Sequence, residues 1–153
     1  MDPRAPGRRT CPGVTAELFV PEAPTLDDRA AILAPLAAYN RAQVPETVRE
    51  QVAILLKDEA GATTGGLWAT VAFDWLVIEL LVVPEELRGR DLGTSILARA
   101  EEIGRAKGCV GAWLDTFSFQ ARGFYEKQGY AVVGEIPDHP VGGARYFLSK
   151  RFG

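Results

Sequence analysis

The stretch Trp75 to Val83, WLVIELLVV, holds a single charged residue, Glu79, among nine positions. Burying an unpaired carboxylate costs several kcal/mol, so a chain places one in such a run for a partner or a purpose. Burial would raise its pKa, which suits a general base working near neutrality. A structural acid paired with an arginine across a sheet is the plainer alternative. Directly after it runs VVPEELRGRDLGTSIL, Val82 to Leu97. Pro84 turns the chain, Arg88 and Arg90 bring positive charge, and Gly89 and Gly93 let the main chain come close to a ligand. An amphipathic pattern follows. A helix that opens at such a junction offers unpaired N–H donors and a partial positive charge, which together bind phosphate oxygens.

The anion can be narrowed. A Walker loop needs Gly-x-x-x-x-Gly-Lys-Ser/Thr, and a dinucleotide fingerprint needs Gly-x-Gly-x-x-Gly near the first strand. Neither string is present. A pyrophosphate held by the first turn of a helix after a central strand fits coenzyme A. A surface helix with incidental arginines is the bland alternative.

These residues need elements to carry them. Residues 1–13 read as a flexible Pro/Gly/Arg tail, and 14–153 as one domain. VTAELFV (Val14 to Val20) reads as a first strand. Thr25 can cap a helix running to about Tyr39, with Asp27 and Asp28 in its first turn. Gln51 to Lys57 is a strand, Asp58 to Gly61 a hairpin turn, Gly66 to Phe73 the returning strand, and Trp75 to Val83 the next. By alternation, Trp75, Val77, Leu81 and Val83 share a face with Glu79, while Leu76, Ile78, Leu80 and Val82 fill the other. The strand is therefore expected to be central and covered on both sides. Leu92 to Lys107 is the clearest helix: Leu92, Ile96, Ala100 and Ile103 make an inner stripe, Arg99, Glu102 and Arg105 point outward, and Gly108 caps the end. Val110 to Phe117 is a strand and Phe119 to Gln128 a short helix stopped by Gly129. Tyr130 to Ile136 and Ala144 to Lys150 are the last strands. The order is β-α-β-β-β-α-β-α-β-β, an α/β (α+β) sandwich with a mixed sheet.

Three segments, RGRDLGTSIL (Arg88 to Leu97), LDTFSFQARGFYEKQGY (Leu114 to Tyr130) and DHPVGGARYFLSKRF (Asp138 to Phe152), resemble the GNAT superfamily of acyl-CoA-dependent N-acetyltransferases. The second is similar to a small, stand-alone bacterial subgroup. The likeness covers about residues 14 to 152. It implies a central sheet of about six or seven strands flanked by helices and splayed between the fourth and fifth. It also implies acetyl-CoA as cosubstrate, no metal, and transfer of the acetyl group to a primary amine of a small molecule or peptide.

The family's pyrophosphate pattern, Gln/Arg-x-x-Gly-x-Gly/Ala, falls on Arg88, Gly89, Arg90, Asp91, Leu92 and Gly93, so Asp91 stands where the family has its first glycine. The resemblance implies that N–H groups from Arg88 through Thr94 cradle the pyrophosphate. It puts Leu81, Val82 and Val83 beside the pantetheine arm and makes the Val83 N–H an oxyanion donor. Acids on this strand serve as base in many members, which agrees with Glu79. Tyr125, in the family's FYEK-x-G motif, would protonate the leaving thiolate, with Phe124 packing beside it. Ser118 takes the place of an asparagine that contacts pantetheine, and Lys127 would reach a CoA phosphate. Tyr39 and Asn40 fall where members contact the acceptor. Asp115 and Asp138, with Glu79, could line the pocket negatively and favour a cationic amine. His139, the sole histidine, falls on the acceptor side, although a lone loop histidine is usually incidental.

Composition excludes other classes. The net charge is −3 and no basic stripe is interleaved with aromatics, which argues against nucleic acid and anionic membranes. No apolar run approaches the ~20 residues of a membrane span. Two cysteines, Cys11 and Cys109, make neither a disulfide framework nor a metal cluster, so a reducing, cytoplasmic setting is the default. The competing class is a catalytically silent acyl-CoA-binding module that regulates a partner. A homodimer is compatible with the family resemblance.

Overall fold

The computed structural model describes residue 16, residues 18–45 and residues 48–153. They fall into two compact units divided between residues 46 and 47, each described by itself. In the first, α1 (Leu26–Gln43) starts at a capping box: the Thr25 hydroxyl accepts the Asp28 N–H at 3.1 Å, and Asp28 Oδ2 accepts the Thr25 N–H at 2.8 Å. The expected tail, residues 1–13, lies outside the described residues. So do residues 14, 15 and 17 of the expected first strand; the described 16 and 18–20 take no strand, with no hydrogen-bonding neighbour to make one.

The second unit is a six-stranded sheet: β1 (Glu50–Lys57), β2 (Thr63–Ala72), β3 (Trp75–Val82), β4 (Gly111–Phe117), β5 (Ala131–Pro137) and β6 (Ala144–Arg151), in the order β1-β2-β3-β4-β6-β5. Only β3 and β4 are parallel. Parallel neighbours need a crossover, and α2 (Leu92–Ala106) supplies it. Asp58 closes the first hairpin by accepting the Ala62 N–H on its side chain at 2.8 Å. The second hairpin turns on Phe73 and Asp74, both at positive φ (49° and 64°), so Phe73 is a turn residue rather than the strand end expected from its type. A short helix α3 (Arg122–Lys127) joins β4 to β5 and begins later than Phe119.

The core lies between the sheet and α2. Ile96, Leu97, Ala100, Glu101 and Gly104 are the buried helix positions. Leu76, Leu97, Leu114 and Leu148 are the largest side chains fully excluded from solvent, drawn from β3, α2, β4 and β6. Gly104 lets α2 approach β3, since a Cβ there would lie 3.3 Å from the Leu76 side chain. Among the described residues no helix is long and apolar enough to cross a membrane, and no group of three or more His, Cys, Asp or Glu could hold a metal.

Candidate active site

β3 and β4 pair only from Trp75↔Gly111 to Ile78↔Leu114. Beyond that β3 continues to Val82 and β4 to Phe117 without joining. Their outer edges stay occupied, β3 by β2 as far as Gly66↔Val82 and β4 by β6 as far as Phe117↔Arg145. The sheet therefore splays at this seam, which is the seam the sequence resemblance implied. The opening is a cleft of about 750 Å³, walled by residues 78–82 of β3 with Val83 after it, 114–116 of β4, the turn 119–121, Phe124 and Tyr125 of α3, and the start of α2.

Glu79 stands at the seam, but not as expected. The β2–β3 register places Trp68 opposite Leu80 and Ala69 opposite Ile78, so Glu79 is the extra residue of a bulge. A bulge reverses the alternation that follows it. Leu76 and Ile78 are buried before it, Leu81 and Val83 pack on the core after it, and Leu80 and Val82 are exposed. Within the second unit, Glu79 is exposed, as are Leu80 and Val82, where the sequence expectation was a strand covered on both sides. Its Oε1 accepts the Thr70 hydroxyl at 2.8 Å. Thr70 alternates with the core residues Ala69 and Val71 and sits opposite Val77. Glu79 therefore belongs to the sheet face away from α2.

The junction into α2 forms another wall of the cleft. The first intrahelical bond runs from the Ser95 N–H to the Asp91 carbonyl at 3.0 Å, which leaves the N–H groups of Leu92, Gly93 and Thr94 without intrahelical acceptors. Asp91 takes φ 56°, ψ 17°, a left-handed conformation that aspartate tolerates better than most residues. This accounts for an acid where the family pattern has glycine: the position demands positive φ, and the side chain is exposed. At Gly93 a Cβ would sit 3.3 Å from the Phe124 ring and 3.8 Å from Val83, so glycine keeps the passage between α2 and α3 open. Arg88 Nε donates to the Val83 carbonyl at 3.2 Å, while its own N–H is taken by the Glu85 carbonyl. A Cβ on Gly65 would lie 2.5 Å from the Val82 carbonyl oxygen, so Val82 directs its main chain at β2. Strand alternation then turns the main chain of Leu81 and Val83 to the open edge.

Tyr125 lies on the α2 side of the cleft, nearly buried, with its ring edge-on to Phe124 at 5.1 Å and to Tyr130 at 6.1 Å. Burial, and then the charge of Asp115, push its phenol above the usual tyrosine value. Behind it lies a buried acid that the sequence reading did not single out. Glu101 accepts the Tyr130 hydroxyl at 3.1 Å and Lys150 Nζ at 2.9 and 3.0 Å. Its signal was helical spacing: Leu97, Glu101 and Gly104 fall on one face.

The remaining candidates divide. Leu81, Val82, Val83, Arg88, Gly89, Asp91, Leu92, Gly93, Thr94, Phe124 and Asp115 all line the cleft, whereas Arg90, Ser118, Lys127 and His139 do not. Asp115 is matched by Arg145, whose Nη2 lies 2.6 Å from Oδ2 and offsets the negative charge it brings to the lining. The Ser118 hydroxyl accepts the Ala144 N–H at 3.1 Å and ties β4 to β6. Lys127 is exposed. Asp138 is a turn residue whose Oδ1 accepts the Gly142 N–H at 3.3 Å. His139 packs edge-on against Phe117 at 5.4 Å. Tyr39 and Asn40 belong to α1 of the first unit. The sequence reading missed Gln120, whose Oε1 accepts the Phe117 N–H at 2.9 Å and the Thr116 hydroxyl at 3.2 Å, fixing the turn on the cleft wall.

Comparison with known proteins agrees with this geometry. Residues 24–130 match the acetyltransferase (GNAT) family. The chain is 38% identical over 122 residues to acetyltransferase Atu2258 of Agrobacterium fabrum, covering 80% of this chain and 89% of that one. It is 37% identical over 135 residues to blasticidin-S acetyltransferase of Streptomyces morookaense, covering 87% and 98%. The crystal structure of an acetyltransferase from Bacillus cereus superposes with a TM-score of 0.79 at 34% identity, covering 88% of this chain and 98% of the other. A splayed β3–β4 seam, a helix start with free N–H donors beside it and two close full-length relatives lead to one conclusion: this chain belongs to the GNAT family of acetyltransferases.

Proposed function

We propose that the chain transfers an acetyl group from acetyl-CoA to a primary amine of a small molecule or peptide by direct attack, with Glu79 as base and Tyr125 as acid. The observation that carries this is the pair itself. An exposed carboxylate that accepts only the Thr70 hydroxyl among the described residues and a buried phenol line one cleft from opposite faces of the sheet, across the seam where β3 and β4 separate. Acetyl-CoA supplies the thioester carbonyl. The N–H groups of Leu92, Gly93 and Thr94 meet its pyrophosphate, and the open main-chain edge at Leu81 pairs with the pantetheine arm like an added strand. The Val83 N–H then faces the developing oxyanion. Glu79, on the outer face, attracts a cationic amine and takes its proton. With Asp115 paired to Arg145, that role falls to Glu79. Tyr125, held protonated by burial, donates to the departing sulfur. The relative that acetylates blasticidin S supports a small-molecule acceptor over a peptide.

The test is CoA release across a panel of small amines and amine-bearing peptides, with acetyl-CoA binding measured by calorimetry. Binding without release from any amine would favour the silent module. Gly93→Val should abolish binding in a folded protein, because the added side chain meets Phe124. Tyr125→Phe should leave binding intact and lower turnover about 10²-fold. Because the phenol is raised above its usual ~10, the wild type should show no alkaline limb from Tyr125 below about pH 10.

A further inference from the structure

Phe119 is 71% exposed, on the cleft-lining turn after β4. An isolated exposed phenylalanine would need no explanation. This one is held in place. Its ring lies parallel to Phe117, 5.3 Å between centroids and 4° between planes. Phe117 is itself braced by the His139 ring at 5.4 Å and by the Arg145 guanidinium at 5.3 Å. One face of Phe119 is thus partly covered by a supported, offset ring, and the residue, 71% exposed, lines the cleft. The side of the sheet is also fixed. Phe117 alternates with Thr116 and Leu114, which are buried on the α2 face. The stack therefore stands on the face away from α2, the face of Glu79, and away from the N–H groups that suit a pyrophosphate.

We infer that Phe119 is a stacking platform for a planar aromatic ring carried by the amine acceptor, whose amine reaches across the splay to Glu79. A π-face accepts any flat delocalised ring. Aliphatic acceptors gain only nonspecific contact there. The inference rests on the transferase reading for the direction of entry. It goes beyond that reading by naming a specificity-determining side chain and the class of group it selects.

Two primary amines of similar size separate the possibilities: pyrimidinyl-ethylamine and cyclohexyl-ethylamine. Each is titrated by calorimetry into the full chain loaded with CoA, and each is assayed for CoA release from acetyl-CoA. The pyrimidinyl amine should bind about ten-fold more tightly, the scale of one base–aromatic stack. Phe119→Ala should erase that preference, Phe119→Trp should keep it, and Phe119→Leu should lose it despite its apolar bulk. Acetyl-CoA affinity should stay unchanged in all three. Equal or absent binding of the two amines overturns the inference, as does a preference that survives in Phe119→Ala or Phe119→Leu. A loss of acetyl-CoA affinity in Phe119→Ala would assign the ring to the coenzyme and equally overturn it. Binding of the planar amine through Phe119, with no CoA release from it or from any amine of the panel, keeps the platform and removes the transferase reading. Release from both amines alike does the reverse.

Discussion

Two glutamates exchange the places that their neighbours in sequence suggest. Glu79 is surrounded by Trp, Leu, Val and Ile on both sides, yet it is exposed at the splayed seam. Glu101 sits in ARAEEIGRA, a run that reads as a charged surface, yet it is 4% exposed beneath α2. A bulge explains the first, because it moves one residue out of the alternation, and β4 has already left the pairing one residue earlier. Helical phase explains the second, because Leu97, Glu101 and Gly104 share a face. Hydrophobic company along the chain thus says little about burial where a strand is interrupted. The carboxylate at the open seam lines the cleft. One locked to Lys150 and Tyr130 serves the frame.

The contrast can be broken most sharply at Glu79. Glu79→Gln should cut turnover by ~10²–10⁴-fold, the usual worth of general acid–base catalysis. Thermal stability should hold, since the amide can still accept the Thr70 hydroxyl. Steady-state kinetics read it: a raised KM for the amine with kcat intact would make Glu79 an amine anchor instead of a base.

Glu101→Gln should do the opposite, costing stability while leaving the folded enzyme active. It strands Lys150 beside a neutral amide, and breaking a buried pair costs ~3–5 kcal/mol. The Lys150 side chain keeps 26% exposure, so the lower end, about 3 kcal/mol, is expected in urea unfolding.

The same network sets an alkaline limit. Burial, then Glu101, raise the Tyr130 phenol, and burial raises that of Tyr125. A raised native pKa means that above the ordinary value the unfolded chain has lost protons that the native chain still holds. The stabilising effect is therefore complete below about pH 10 and is lost as pH climbs beyond it. Unfolding midpoints should fall steadily from pH 10 upward, and Tyr130→Phe should flatten that fall.

The smallest effect is expected at the anion side. Asp91→Gly relieves the left-handed strain but adds freedom to the unfolded chain, so stability should move by less than about 1 kcal/mol. Acetyl-CoA affinity should stay equal or tighten, because a negative charge leaves the loop; calorimetry checks it. A weakened affinity would show that the carboxylate itself contributes to the site.

The order of elements after Thr25 was legible because it rests on local rules. Thr25 and Asp28 form the capping box, Gly108 and Gly129 take the positive φ of helix ends at 83° and 91°, and α2 follows its periodic stripe. The junction between β3 and α2 was legible for the same reason: its proline, glycines and arginines are contiguous in the chain. Those facts the sequence determined by itself. The tertiary structure alone decided that Glu79 is exposed, that Asp115 is neutralised by Arg145 from β6, that Ser118 serves the Ala144 N–H, and that Glu101 finds partners 29 and 49 residues away. Each of these depends on a bulge, a register or a pairing between strands distant in sequence. No local periodicity encodes such contacts, because side chains find these partners only after the sheet has set its order.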